Sequence, residues 1–203
     1  MQSIKTYKER ALADLENRWF DAAIVALVFY LIYEGIQWLV PNFLGQTQGL
    51  VFQAVWMLLC APLSWSFTVL FLDFIRGEKL EISSLFKGYS DALRLAAVYF
   101  LYFLGICIGL VFFIVPGIII ALMYSQIPYI LKDDSQVGIV EVFSKSAKMM
   151  QGHKMDLFWL GLSFIGWAIL ALLTLGIGFI FLSPYLNTTL AHYYEDLKSE
   201  SNG

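Results

Sequence analysis

The fold is decided by residues 152–197, GHKMDLFWLGLSFIGWAILALLTLGIGFIFLSPYLNTTLAHYYEDL. After a basic start, an apolar run extends over residues 157–174, close to the roughly 20 apolar residues that cross a bilayer as a helix. Gly176 and Gly178 interrupt this run, and a second apolar stretch follows and ends in the acidic residues 195–196. This order predicts a transmembrane hairpin whose two open ends lie on the same side of a bilayer.

The composition extends this interpretation to the whole chain of 203 residues. Hydrophobic residues make up 59% and charged residues only 14%, whereas an average soluble domain is about 25% charged. Because the apolar segments are continuous rather than alternating, they favour helices over a β-barrel. We therefore predict an all-α, polytopic membrane protein with a single integral membrane domain over residues 1–203. The first apolar run is too long for a signal peptide and is expected to stay in the mature protein.

The 13 lysines and arginines are confined to alternate connections between the apolar runs. Four precede the first run, four lie between the second and third, four lie between the fourth and fifth, and one follows the sixth. Since lysine and arginine concentrate on the cytoplasmic side of membrane proteins, this pattern predicts six transmembrane helices arranged as three hairpins. Both termini are expected in the cytoplasm, and the protein is expected in the cell membrane.

Amphipathic segments precede two of the hairpins. Residues 1–18 carry apolar side chains at helical spacing, which predicts an interfacial helix; these are Ile4, Tyr7, Ala11 and Leu15. A second interfacial helix is predicted before the third hairpin, with Asp134 or Ser135 capping its start. Its apolar face is expected to consist of Val140, Phe143, Ala147 and Met150.

These patterns divide the chain into four parts. They are an interfacial helix at residues 1–18, hairpin 1 at 19–75, a linker with hairpin 2 at 76–131, and an interfacial helix with hairpin 3 at 132–197. The first transmembrane helix is expected to stop at Pro41, and Ser90 is expected to cap the third. The fourth is expected to run through Pro128 over residues 118–131.

Hairpins 2 and 3 resemble copies of one unit. A shift of 61 positions aligns Phe103 with Phe164, Gly105 with Gly166, Gly117 with Gly178, Ile119 with Ile180 and Tyr124 with Tyr185. The matches are few, so a chance coincidence of glycine and aromatic positions is the alternative. Close helix approach is expected at Gly105, Gly109, Gly166 and Gly178.

Glu34 is the acidic residue that lies well inside an apolar run. An ionisable group in a membrane helix is a candidate for function. The predicted helix end at Pro41 is about six residues, or roughly 9 Å, from Glu34. We therefore favour a structural role, in which the carboxylate reaches the headgroups beside Gln37, over an ion-carrying role.

Polar side chains recur beside the proline in the second helix of hairpin 2 and in the second helix of hairpin 3; we call these two the return helices. Gly117 and Gly178 lie at the turns of hairpins 2 and 3, and we call these turns the elbows. Tyr124 and Tyr185 each lie seven residues past their elbow glycine, about 10 Å below the outer surface. With their neighbours they predict a polar cleft that opens to the cytoplasm. The alternative is a set of hydrogen bonds between helices that satisfy carbonyls freed by the prolines. The candidate residues are Tyr124, Ser125, Gln126, Ser163, Tyr185, Asn187, Thr188 and Thr189.

The second half of the chain also resembles a known family. The residues that carry the resemblance are Ser146, Met149, Met150, Gly152, His153, Lys154, Leu157, Phe158, residues 162–167, residues 176–178, Pro184, Tyr185, Ala191, Tyr193 and Tyr194, together with residues 114–117, Tyr124, Ser125 and Asp133. They are similar to the bacterial integral membrane proteins grouped as domain of unknown function family 975. The resemblance implies a membrane location and no particular chemistry. More distantly, the pattern is similar to membrane domains attached to some glycerophosphodiester phosphodiesterases.

Residue patterns of catalysis are missing from the sequence. It contains no nucleophile elbow, phosphate loop or zinc motif, and no basic cluster of the kind that binds nucleic acid. Cys60 and Cys107 lie inside apolar runs, where small buried hydrophobic residues are expected. We therefore expect no enzyme, no catalytic, metal or cofactor site, and no nucleic-acid partner.

Three functions fit these observations. The favoured one is non-enzymatic binding of membrane lipids, or of another membrane protein, at the inner leaflet. The second is a small transporter or exporter that moves an amphipathic solute through the cleft. The third, which depends on the phosphodiesterase resemblance alone, is processing of lipid headgroups.

Overall fold

The computed structural model describes residues 2–44 and 50–201, and this part of the chain is all-α, without strands. A 3₁₀ helix at Ile82–Asp91 joins the first helices to the rest. The α-helices are α1 (Ile4–Leu15), α2 (Trp19–Leu44), α3 (Leu50–Ile75), α4 (Ala92–Phe112), α5 (Ile114–Met123), α6 (Ile127–Asp133), α7 (Ile139–Met149), α8 (Lys154–Leu162), α9 (Ile165–Leu173) and α10 (Phe179–Ser201).

Four helical stretches within the described residues are long and apolar enough to cross a membrane. They are Val55–Ile75, Ile82–Val111, Ile114–Asp133 and Lys154–Leu173. Large apolar side chains remain exposed along α4, α5 and α9, among them Val111, Ile114 and Leu173. Exposed apolar surface on this scale is typical of a protein that faces lipid.

Helix α10 lies at the centre of the fold. It packs against α1, α2, α3, α7 and α9. The apolar stripe of α1 is buried against it: Tyr7, Ala11 and Leu15 are at most 2% exposed, and the ring centroids of Tyr7 and Tyr193 lie 5.6 Å apart. The stripe of α1 is therefore explained by contacts within the protein, because it faces α10.

Charged side chains gather where α3, α6 and α10 end, and we call this region the charged end. Arg76, just after α3, bonds Asp133 of α6 and Glu195 of α10, each at 2.6 Å. Asp133 also accepts hydrogen bonds from Lys198 and Tyr194, each at 2.7 Å. The hydrogen bond with Asp133 raises the pKa of Arg76 above its usual range, so the guanidinium stays charged. This cluster holds the three helix ends together.

The N-terminal helix is attached to the same end of the molecule. His192 of α10 lies 2.7 Å from the carboxylate of Asp14, and Arg10 lies 3.4 Å from that of Asp196. The ammonium of Lys8 donates to the carbonyl of Ser163 at 2.8 Å, at the break between α8 and α9. Residues near the two chain ends therefore pack side by side.

Several local predictions were wrong. Helix α2 does not stop at Pro41 but continues to Leu44. The hydroxyl of Ser90 does not cap α4 but donates to the carbonyl of Lys87. The predicted fourth helix is broken after Met123 and resumes at Ile127, because Pro128 occupies the first turn of the new helix α6 rather than the interior of a longer one.

The predicted apolar face of α7 is confirmed at Met150, which is fully buried, and was wrong at Val140. Val140 is 82% exposed, whereas Val142 and Ser146 are fully buried. The predicted caps Asp134 and Ser135 are replaced by Gly138 at the N-cap position. Asp134 instead accepts from the ammonium of Lys145 at 2.8 Å, which lowers the pKa of the Asp134 carboxyl below its usual value. Contacts with α4, α6 and α10 explain which face is buried.

The same kind of close packing contact occurs at both elbows. A Cβ atom added to Gly117 of α5 would lie 2.6 Å from the side chain of Leu110, and one added to Gly178 would lie 2.6 Å from the Cα of Ala171. Leu110 and Ala171 are separated by the same 61 positions as the two glycines. In both hairpins the return segment therefore crosses its partner at an equivalent glycine, which supports the internal repeat.

We predict that alanine substitutions will lower thermal stability at glycines packed closely against a neighbouring helix and will not lower it at glycines that face open space. At Gly109 a Cβ would meet Ile120 at 2.8 Å and Gly117 at 2.9 Å, whereas at Gly166 it would meet nothing within 4 Å. Gly109→Ala and Gly178→Ala should destabilise the protein by about 1–3 kcal/mol each through overpacking. Gly166→Ala is the control and should not lower thermal stability. Equal melting temperatures for all three variants in detergent would contradict this packing.

Candidate functional site: a tyrosine-lined cavity

The candidate site forms where the segment from Ile114 to Asp133 is broken. The break at residues 124–126 frees backbone carbonyls that a continuous helix would use, and in a membrane such groups need other donors. The hydroxyl of Tyr102 donates to the carbonyl of Ala121 at 3.2 Å. The hydroxyl of Ser146 donates to the carbonyl of Met123 at 2.9 Å. Side chains of α4 and α7 therefore compensate for the break.

A third helix fixes the start of α6. The indole N–H of Trp65, on α3, donates to the carbonyl of Pro128 at 2.9 Å. Trp65 lies near the point where the 3₁₀ helix packs on α3, since the backbone N–H of Gly88 donates to the hydroxyl of Ser66 at 2.8 Å. The break is thus held from three sides, by α3, α4 and α7.

A cavity of about 230 Å³ lies beside the break, between α3, α4, α6 and α10. Four of its lining residues are tyrosines. The full lining consists of Thr68, Val98, Tyr99, Tyr102, Tyr124, Ser125, Gln126, Ile127, Pro128, Tyr129, Asn187 and Leu190. Gln126, Ile127 and Tyr129 are each 2% exposed and, with Val98 at 0%, form its most buried part.

Two polar atoms of this buried part have no hydrogen-bond partner. They are the amide oxygen of Gln126 and the hydroxyl of Tyr129. The amide nitrogen of Gln126 donates to the hydroxyl of Ser125 at 2.8 Å, and that hydroxyl donates to the carbonyl of Leu122. Buried polar groups in folded proteins are normally paired, and a cavity of this size, with hydroxyl and amide groups in its lining, has room for water or a small ligand. The unpaired atoms therefore mark this cavity as a candidate site for water or a small ligand that can form hydrogen bonds.

The ring of Tyr129 connects the cavity to the charged end. It stacks on the ring of Tyr194 with 4.9 Å between centroids, and the hydroxyl of Tyr194 donates to Asp133 at 2.7 Å. Because the ring is held in this way, the Tyr129 hydroxyl has a fixed position. The lining supplies hydroxyl and amide groups, which suit binding by hydrogen bonds.

Residues 90–201 match the family described as "Protein of unknown function (DUF975)". The chain belongs to this family. The match begins just before α4 and reaches the end of α10, so in this DUF975 protein it includes all of the cavity lining except Thr68. A comparison with curated proteins and one with solved structures each give no match. The family resemblance expected from the sequence is confirmed, and the family description assigns no activity.

The predicted cleft residues of this DUF975 protein do not form a single cleft. Tyr124, Ser125, Gln126 and Asn187 line the tyrosine-lined cavity. Tyr185 instead lines an apolar groove of about 330 Å³ with Trp167, and its ring packs 5.0 Å from that of Phe164. The two tyrosines of the repeat therefore line different cavities.

The remaining predicted residues bond within their own helices. The hydroxyls of Thr188 and Thr189 donate to the carbonyls of Pro184 and Tyr185, and that of Ser163 donates to Leu160. Thr188 and Thr189 are both fully buried. Their hydroxyls follow the usual pattern of serine and threonine in helices, which bonds a carbonyl one turn back.

Glu34 lies on α2, on the exposed side of the helix. Since α2 continues to Leu44, Glu34 is ten residues from the helix end, about 15 Å rather than the predicted 9 Å. It is distant in the chain from every residue that lines the cavity, and the structure places it outside that lining.

Three of the four lining tyrosines were not predicted: Tyr99, Tyr102 and Tyr129. Tyr99 and Tyr102 are three positions apart on α4 and so lie on one face of that helix. That spacing was the available signal, but it does not show which helix the face meets. Among the described residues, no group of three histidine, cysteine or acidic side chains could hold a metal ion.

A larger cavity, of about 640 Å³, lies at the charged end beside α7 and α10. Of its acidic residues, Asp133 and Asp134 are bonded to Lys198 and Lys145, and Glu200 lies 3.5 Å from His153. The Nδ1 atom of His153 in this lining also has no hydrogen-bond partner, but it lies 3.5 Å from the carboxylate of Asp156. Because the charged groups of this cavity face one another within the protein, it makes a weaker case for a ligand than the tyrosine-lined cavity.

We predict that cysteine labelling will separate two adjacent positions of α10. Asn187 lines the cavity, whereas Thr188 is 0% exposed. In a background without Cys60 and Cys107, Asn187→Cys and Gln126→Cys should react with a small water-soluble maleimide in lipid-stripped detergent. Thr188→Cys is the matched control and should react only after denaturation. If Asn187→Cys reacts no faster than Thr188→Cys, the cavity is closed.

Proposed function

We propose that this protein is a non-enzymatic, lipid-binding protein of the bacterial cytoplasmic membrane, with a lipid headgroup in the tyrosine-lined cavity. The observation that carries the proposal is the pair of unpartnered buried atoms, the Gln126 amide oxygen and the Tyr129 hydroxyl. An unpaired buried polar group costs about 1–3 kcal/mol. A ligand that pairs with both atoms recovers this free energy.

The position of the cavity favours a ligand that comes from the membrane. Tyr124 lies nine residues before Asp133 at the charged end, about 14 Å away along a helix. The neighbouring helices α4 and α5 expose large apolar side chains such as Leu104 and Ile119. A lipid satisfies both features, because its acyl chains can cover this surface while its headgroup enters the cavity. The cavity volume of about 230 Å³ is below the roughly 300 Å³ at which pockets for drug-sized ligands begin, so the cavity suits a headgroup rather than a larger ligand.

The proposal includes six transmembrane helices as three hairpins. Besides the four apolar stretches of the described chain, α2 and the first half of α10 serve as spans. Support comes from the charged end, where the ends of α3, α6 and α10 meet and where α1 is also attached. Three hairpins with both termini in the cytoplasm require these ends to lie together. The distribution of lysine and arginine supports the same orientation.

Transport of an amphipathic solute is the second candidate function. The break between α5 and α6 favours it, since many transporters bind substrates at discontinuous helices. The two functions differ in one respect: transport requires the cavity to open to each side of the membrane in turn, whereas lipid binding does not.

The topology is tested with reporter fusions. Fusions at residues 83 and 138 are expected to report a cytoplasmic location, and fusions at 113 and 176, at the two elbows, a location outside. Each pair acts as the control for the other: residues 113, 138 and 176 lie between α-helices, and residue 83 lies in the 3₁₀ helix that precedes α4. An outside signal at residue 138 would exclude the arrangement of three hairpins.

Lipid binding is tested by native mass spectrometry of protein released from nanodiscs. We expect one retained lipid on the natural protein and about tenfold lower occupancy on the double variant Gln126→Leu, Tyr129→Phe, because each lost hydrogen bond is worth about 0.5–1.5 kcal/mol. Tyr89→Phe is the control, since Tyr89 is 45% exposed on the 3₁₀ helix, outside the cavity. Equal occupancy on all three proteins would rule out the cavity as the lipid site.

A further inference from the structure

We infer that the part of the ligand inside the tyrosine-lined cavity is an uncharged polyol, such as a glycerol or a single sugar ring. This inference rests on the proposed lipid-binding function and specifies the class of headgroup. Three observations carry it: the charge of the lining, the kind of hydrogen-bonding atom left unpaired, and the volume.

The lining carries no charge. None of the twelve residues around the cavity is acidic, basic or histidine. On α6 and α3, the ammonium of Lys132 lies 2.6 Å from the carboxylate of Asp73, so these two charges pair with each other. Transferring an ion into a protein interior without an opposite charge costs several kcal/mol. A phosphate or a carboxylate in the cavity would have no cation to meet it.

The unpaired atoms select the ligand further. An amide oxygen only accepts hydrogen bonds, so the Gln126 oxygen requires a donor; the Tyr129 hydroxyl can donate or accept. A phosphate diester offers no donor, and a quaternary ammonium offers neither a donor nor an acceptor. A hydroxyl group both donates and accepts, so two hydroxyls of one polyol can pair with both atoms.

A primary ammonium is the strongest competitor. It can donate to the Gln126 oxygen, and tyrosine rings attract cations. It carries a charge, however, and the lining contains no carboxylate to compensate it. A polyol meets the same donor requirement without that cost.

The volume and shape fit a small polyol. The cavity of about 230 Å³ corresponds to seven or eight water molecules at roughly 30 Å³ each. Tyrosine combines an apolar ring face with a polar hydroxyl at its edge. The carbon and hydroxyl surfaces of a glycerol or sugar ring match such a lining.

The test compares headgroups on identical acyl chains. Delipidated protein is reconstituted with an equimolar mixture of phosphatidylglycerol, monoglucosyl diacylglycerol, phosphatidylethanolamine, phosphatidylcholine and phosphatidic acid, and the retained lipid is identified by native mass spectrometry. We expect the glycerol- and glucose-bearing lipids to exceed the other three at least about tenfold. The preference should disappear in Gln126→Leu, Tyr129→Phe and persist in Tyr89→Phe. Tyr129→Phe keeps the ring that stacks on Tyr194, and a melting curve checks that each variant is folded.

The other outcomes are distinct. Selective retention of phosphatidylethanolamine or phosphatidylcholine would overturn the uncharged class but leave lipid binding intact. Retention of every lipid in proportion to the mixture would overturn both the inference and the proposed function. In a second arm, glycerol or glucose is added in solution. Displacement of the lipid would show that the cavity also takes free polyols, whereas no displacement would show that it requires the lipid.

Discussion

Every backbone carbonyl of a helix in apolar surroundings needs a donor, and the break at residues 124–126 is where this protein meets that constraint with side chains. Tyr102, Ser146 and Trp65 reach the break from three different helices. Because these donors come from α4, α7 and α3, the break is stabilised by the packing of those three helices around it. The same break turns Gln126 toward the cavity and starts the short helix that carries Tyr129. The cavity is thus a consequence of how the chain pairs its backbone.

The charged end and the cavity form one connected structure. Arg76 bonds Asp133, which accepts from the Tyr194 hydroxyl, and the Tyr194 ring stacks on Tyr129. Each contact restricts the next: the ion pair fixes the carboxylate, the carboxylate fixes one tyrosine, and the stacked ring fixes the other. The Tyr129 hydroxyl is therefore positioned before any ligand arrives, and such preorganisation lowers the entropic cost of binding.

The sequence predicts the features that depend on composition and residue spacing. It predicts less well the features that depend on how several helices pack together. The apolar runs and the elbow glycines are visible in the sequence, and Gly117 and Gly178 do mark equivalent crossings. The helix break is less visible, because Pro128 lies inside the new helix rather than at the break itself. Likewise, no local signal shows that Val142 rather than Val140 is buried on α7, or that tyrosines of α4 and α6 meet around one cavity. Those facts depend on tertiary contacts.

The two copies of the repeat differ because their return helices occupy different places. Helix α10 is surrounded by other helices, so it must be continuous and well packed; Tyr185 is 7% exposed, and Thr188 and Thr189 fill the core with hydroxyls bonded to their own helix. The segment from Ile114 to Asp133 lies nearer the surface, with Ile118 and Ile119 exposed. A helix break there loses fewer packing contacts. Tyr124, the counterpart of Tyr185, lines a cavity rather than packing into the core. One repeated unit therefore provides the central support in one copy and the candidate binding site in the other.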